Sequence, residues 1–364
     1  MKWKRPLAWI AGAAVAAGIG GFVFAAAGFA PIAASSGHWA VTDWFLHFAM
    51  RRAVKTQSLG VAIPPDVSLD DRALVLRGAG HYESGCAPCH GTPTTQPSVV
   101  VRQMTPKPPH LPPHIPSWEP EHLFWIVKHG VKFTAMPAWP ALHREDEVWA
   151  MVAFLRRLPD LSEAEYRALA AGDAGSGNRL RSHDDPIGAV VAESCARCHG
   201  AEGLGRGAGA FPKLAGQTEP YLLASLRAYA AGERHSGFME PVAAMLDDAA
   251  LQRLAAYYAA MPAGAAEATA AGDRALGERI ATRGIPERGV PACVQCHGPK
   301  EAPRAAVYPS LAGQYADYIT VQLDAFANGT RGGTPFAHIM RSIAERLEPA
   351  ERGAVAAYYS ALAP

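Results

Sequence analysis

The six cysteines of this 364-residue chain fall into three identical frames, with none left over. They are Cys86-Ala87-Pro88-Cys89-His90, Cys195-Ala196-Arg197-Cys198-His199 and Cys293-Val294-Gln295-Cys296-His297. Thiols and imidazoles so spaced suit four chemistries. A zinc site needs four ligands, commonly two separated Cys-x-x-Cys pairs, whereas here every pair has its own adjacent His. A thioredoxin-like redox pair needs a strand–helix setting, and no alternating strand pattern is legible. Structural disulfides leave the His after every pair unexplained. Attachment of c-type haem accounts for the whole frame. Two intervening residues let one helical turn present both sulfurs to the vinyl groups, and the adjacent imidazole faces the iron. The reading is three covalently bound haem c groups, held by Cys86 and Cys89, Cys195 and Cys198, and Cys293 and Cys296. His90, His199 and His297 are the first axial ligands.

A sixth ligand is needed for each iron. Met136, Met239 and Met340 each stand 22 residues before the end of an apolar helical stretch, at Leu158, Met261 and Leu362. The loops between Cys and Met vary while this distance does not, which predicts these three as the opposite ligands. A thioether favours ferrous iron and raises the potential. Met151 and Met261 lie in the final helical stretches, Met245 falls on Arg346 in register, and Met50 and Met104 have no counterparts. His110, His114, His122, His129 and His143 crowd the first repeat and offer bis-His ligation as the alternative. The carbonyls of Pro109, Pro212 and Pro309, each in a Pro-x-Leu, are placed to accept the Nδ1–H of the proximal His. Tyr221 and Tyr315 are read as packing at the haem or bonding a propionate, or else as core.

The elements that carry these residues repeat three times. After each frame come a Gly, the Pro-x-Leu, the Met and an apolar helical stretch, at Val148–Leu158, Leu251–Met261 and Ala354–Leu362. The first cysteines are 109 and 98 residues apart, a domain-sized period. The expected boundaries are 66–160, 184–263 and 264–364, with a Gly-rich linker at 161–183. An insertion, Gly284 to Pro291, precedes the third frame and has no legible role. The fold class is all-α, three small helical domains.

Ahead of them, Lys2, Lys4 and Arg5 precede Leu7–Ala30, which is charge-free and almost wholly apolar. That length crosses a bilayer and exceeds an ordinary secretory core. Residues 1–36 are read as a retained single-pass anchor, with a cleaved signal peptide as the alternative. The positive-inside rule puts Met1 in the cytoplasm and the frames in the periplasm of a bacterial inner membrane. Residues 37–65 form an amphipathic connector, with Trp39, Trp44, Phe45 and Phe48 alternating with Arg51, Arg52 and Lys55. It lies on the membrane surface or packs on the first domain. A formal net charge of +1 gives no support for nucleic acid as a partner.

With these motifs in hand, residues 70–364 resemble a multi-haem class I cytochrome c. The second and third frames, followed by Pro212-Lys213-Leu214-Ala215-Gly216-Gln217 and Pro309-Ser310-Leu311-Ala312-Gly313-Gln314, are similar to tandem di-haem cytochromes of bacterial respiratory chains. Phe124-Trp125-Ile126-Val127-Lys128-His129-Gly130 and Met136-Pro137-Ala138-Trp139 resemble cytochrome subunits of membrane-bound dehydrogenases and oxidases. The resemblance implies three tandem class I folds, each with an N-terminal helix crossing a C-terminal helix beside the haem. If every iron is six-coordinate, no position remains for a substrate, so the expected function is single-electron transfer without catalysis. Expected donors are a quinol-oxidising complex or a periplasmic dehydrogenase; expected acceptors are a terminal oxidase or a soluble cytochrome. A haem enzyme, a peroxidase or sulfur-compound oxidase with one open iron site, is the alternative.

Overall fold

The computed structural model describes residues 4–172, 186–207, 209–266, 272–298 and 305–364. The Gly-rich part of the expected linker, 173–183, lies outside the described residues. The described residues are helical, and their one β-bridge joins Ile285 to Val290. Helix α1 (Lys4–Ala26) contains the apolar stretch Pro6–Ala26, of mean hydropathy 2.0, long enough to cross a membrane or to act as a signal sequence. Helix α2 (Ala40–Gln57) divides its behaviour. At its C-terminal end Val54 is buried and the Arg51 guanidinium lies 4.4 Å from the Trp118 ring centroid. Its first turns leave Trp44, Phe45 and Phe48 exposed, as is the preceding Trp39.

The remaining helices build three units, each with its own apolar core. Tyr82, Trp149, Phe154 and Tyr166 centre the first, Val191, Leu222, Leu254 and Tyr258 the second, and Ile280, Leu323, Val355 and Tyr359 the third. In the first unit α3 (Arg72–His81) packs on α4 (Glu145–Arg157). In the third, α5 (Arg274–Arg283) packs on α6 (Pro349–Ser360). Both crossings are so close that only glycine fits. A Cβ on Gly78 would overlap the Ala150 carbonyl, and one on Gly277 would overlap that of Ala354. Gly277→Val is therefore expected to force α5 off α6 and to destabilise the third unit by about 1–3 kcal/mol or more. Denaturant unfolding followed at the third unit checks this; an unchanged midpoint would remove the contact from the account.

The final helices start earlier and stop sooner than their apolar stretches. The second unit's runs Asp248–Ala259, and α4 and α6 likewise begin before Val148 and Ala354. Caps set the starts. The Asp247 carboxylate accepts from Ala250 N at 2.7 Å, and Glu348 and Glu351 form a capping box. The insertion before the third frame is tied back to the last helix: Arg346 Nη1 donates to the Gly289 carbonyl at 2.9 Å, and Arg288 pairs with Glu351.

Candidate functional site

Each frame ends in one helical turn, Ala87–His90, Ala196–His199 and Val294–His297. The turn stops because the next residue takes a left-handed φ: Gly91 at 75°, Gly200 at 75° and Gly298 at 78°. In every frame the His Nδ1 meets the proline carbonyl expected of it. His90 reaches Pro109 O at 2.9 Å, His199 reaches Pro212 O at 3.2 Å and His297 reaches Pro309 O at 2.9 Å. A carbonyl only accepts, so Nδ1 carries the proton and Nε2 keeps a lone pair for a metal. Burial lowers the pKa of all three imidazoles, against the pull of the carbonyl, and keeps them neutral.

The thiols do not behave as a redox pair would. None of the six cysteines is in a disulfide. Burial pushes Cys86 and Cys195 up to about 12 and Cys198 and Cys293 up to about 11, the opposite of a poised thiolate.

A cavity of about 340 Å³ joins the second and third frames, a size typical of ligand pockets. Cys195, Cys198, His199 and Met239 line one part of it, and Cys293, Cys296, His297 and Met340 the other. Met136 and the first frame lie outside this cavity; Met136 is half-buried, with its N–H on Thr134 Oγ1 at 3.1 Å. Two of the first unit's histidines are committed elsewhere. His110 Nε2 bonds the Thr92 carbonyl at 2.7 Å, and His122 Nδ1 accepts the Glu119 N–H at 3.0 Å.

The wall between the two halves of the cavity has approximate two-fold symmetry. Gln217 exchanges two hydrogen bonds with the Ser310 backbone, and Gln314 exchanges two with that of Lys213. Arg234 Nη2 donates to Tyr318 Oη and Gln322 Oε1, each at 3.2 Å, while Arg331 Nη2 donates to Tyr221 Oη at 3.2 Å. Both arginines are buried, and among the described residues no carboxylate pairs with either. Arg331 Nε has no hydrogen-bond partner among the described residues. Burial opposes ionisation of Tyr221, yet Arg331 and Arg234 pull its phenol down to about 8. Two cations turned into an apolar cavity without a counter-ion call for an anionic ligand. Porphyrins bearing carboxylates, one tethered at each Cys pair, fit this donor set.

Models of known families match along the chain: one for cytochrome c oxidase, cbb3-type, subunit III over residues 73–155, and one for cytochrome c over 187–261 and 276–363. The thiosulfate dehydrogenase electron acceptor of Thiomonas intermedia is 41% identical over 179 residues, which are 47% of this chain and 79% of that protein. The chain belongs to the cytochrome c family. Cytochrome c4 of Pseudomonas aeruginosa is 37% identical, over 54% of this chain and 91% of its own. A solved thiosulfate dehydrogenase from Marichromatium purpuratum shares 38% identity over 52% of this chain and 40% of that one, with a TM-score of 0.45. This cytochrome c thus binds haem c covalently and is an electron-transfer protein rather than an enzyme.

Several residues of the cytochrome's site were not singled out from the sequence. Tyr318, rather than Tyr315, is the counterpart of Tyr221: each follows its Gln by four positions. Tyr315 instead donates to the Leu204 carbonyl at 2.9 Å. Arg234 and Arg331 each follow that Gln by 17 positions, a signal available in the sequence. Tyr258 and Tyr359 each follow the Met by 19 and donate to the carbonyls of Gly200 and Gly298. The first unit lacks that tyrosine and uses Tyr82, whose hydroxyl donates to Gly91 O at 2.8 Å.

His81 packs between Trp139, at 4.9 Å, and Phe238 of the second unit, at 5.0 Å. Burial lowers its pKa to about 4. Between pH about 6.5 and about 4 the unfolded chain binds a proton that the fold excludes. Stability should therefore fall as pH falls through that window, by on the order of 3 kcal/mol in all. His81→Leu should flatten the dependence, read from thermal midpoints of the haem-loaded protein; equal slopes would exclude His81 as the cause.

Proposed function

We propose that this cytochrome is a membrane-anchored carrier with three haems, which relays single electrons on the periplasmic side of the inner membrane. The observation that carries the reading is the same local device three times over: a Cys-x-x-Cys-His turn whose imidazole is oriented by a proline carbonyl. Each haem supplies one iron that takes up and gives back one electron. Cys86 and Cys89, Cys195 and Cys198, and Cys293 and Cys296 tether it. His90, His199 and His297, with Met136, Met239 and Met340, would hold the irons. Six such donors would leave no iron site open to a substrate. Arg234 and Arg331 hold propionates, and the apolar walls exclude water.

The anchor is α1, and the exposed aromatic start of α2 lies in the headgroup region beside it. We take the donor to be a periplasmic dehydrogenase. A relative named as the electron acceptor of thiosulfate dehydrogenase supports that class over a quinol-oxidising complex. The acceptor is a terminal oxidase or a soluble cytochrome, in keeping with the cbb3-type match of the first unit.

The pyridine haemochrome assay on membrane-extracted protein should give three c-type haems per chain, retained on a denaturing gel. Thiosulfate with thiosulfate dehydrogenase should reduce them, and thiosulfate alone should not. Two haems or fewer in matured protein would overturn the tri-haem reading. Protein lacking residues 1–36 behind a cleavable signal should leave the membrane fraction.

A further inference from the structure

The second frame is enclosed in a way the other two are not. In the first and third frames an intervening residue, Pro88 or Gln295, is exposed, whereas Ala196 of the second is buried. The cover comes from the first unit. Helix α3 lays Gly80 against the second frame so closely that a Cβ there would sit 3.0 Å from Cys198 Sγ and 3.0 Å from the Phe211 ring. Ala73 and Leu76, from the same helix, close an apolar cluster with Ala210 and Phe211. Arg77 Nε, one residue on from Leu76, donates to the Ala210 carbonyl at 3.3 Å.

A second clamp holds the loop that carries Met239. Glu147 of the first unit accepts from Ser236 Oγ and Gly237 N, both at 2.6 Å, and Arg144 Nη1 donates to the His235 carbonyl at 2.8 Å. Phe238 lies against His81 and Trp139. The third unit closes the opposite side through the Gln217 and Gln314 pairs. The contacts have the features of a specific interface, with an apolar centre, an aromatic anchor and satisfied polar groups.

We infer that the first unit is the built-in partner of the second: it occupies the surface at Cys198 and Phe211, so soluble redox proteins dock on the first and third units only. The inference rests on reading all three frames as attachment sites and deepens it, by assigning where partners bind. Its basis is steric: a protein surface cannot approach Cys198 while Gly80 lies on it.

The test is amide hydrogen exchange on the full-length, haem-loaded protein, with and without a soluble mitochondrial cytochrome c as probe. In wild type, peptides covering 196–199 and 209–214 should exchange slowly and be unaffected by the probe. Gly80→Leu should speed their exchange about tenfold, because the atoms nearest a Cβ at this position belong to Cys198 and Phe211. Leu76→Asp, which puts a charge in the same apolar cluster, should do the same if Gly80→Leu fails to mature. Peptides covering 354–360, in the core of the third unit, should stay unchanged in both. Probe protection of 196–214 in wild type would overturn the inference, as would unchanged exchange in both variants. A haem count below three would count against the tri-haem reading and leave this exchange result standing.

Discussion

Met340→Ala will open the sixth position of one iron and leave the other two nearly as they were. Met340 lies on the helix Ala337–Ala344 and shares a cavity wall with His297. On the reading proposed above, its thioether stabilises the ferrous state at that site, so removing it lowers one potential of three. With one haem per frame, as proposed, it also removes about a third of the weak red-edge band of methionine-ligated ferric haem. Cyanide or carbon monoxide should then bind rapidly at one haem per chain. Met239→Ala is expected to act in the same way on the second site. Met245→Ala should change nothing, because that side chain points to solvent and is 86% exposed. Spectra and potentials that ignored all three substitutions, at Met136, Met239 and Met340, would make bis-His ligation the better account.

Glu147→Ala will cost about 3–5 kcal/mol and loosen the first unit from the second. The carboxylate is 2% exposed and has four donors: Trp139 Nε1 at 3.2 Å, Ser236 Oγ, Gly237 N, and Arg144 Nη1 at 3.2 Å. Burial raises its pKa against the pull of Arg144. All four partners are donors nonetheless, which is the environment of an ionised carboxylate. Its removal leaves the buried Arg144 with one carboxylate, that of Asp146, and strips Gly237 N and Trp139 Nε1 of their acceptor. Glu147→Gln keeps the shape and one acceptor oxygen, so it should cost less. Denaturant unfolding of the haem-loaded protein reads the loss, and a Glu147–Ser236 double-mutant cycle isolates the cross-unit part. A change below about 1 kcal/mol for Glu147→Ala would mean that the apolar contacts at Phe211 and Phe238 hold the units together without it.

What could be read from the amino-acid sequence was local or periodic. Two thiols and an imidazole within five residues lie on one helical turn whatever surrounds them, so the attachment chemistry is written in the frame itself. Apolar stretches at helical spacing, with Asp and Glu at their starts, prescribe helices, and the all-α class follows. The proline carbonyls that orient His90, His199 and His297 were legible because each recurs in a Pro-x-Leu between its frame and its Met, although the first loop is longer than the other two. The counterpart of Tyr221, Tyr318, was passed over, although it follows Gln314 by the four positions that separate Tyr221 from Gln217.

Only the tertiary structure decided how the units meet. Arg234 finds Tyr318, Arg331 finds Tyr221, and Glu147 finds Ser236 across 84, 110 and 89 positions. No periodicity announces such pairs. They form where two preformed surfaces match in shape and each desolvated polar group meets a partner, and that is a property of the docked units, not of any one segment. For the same reason the sequence could not say that Gly80 would lie on Cys198. A glycine inside a helical run signals close approach, but the structure alone names the neighbour.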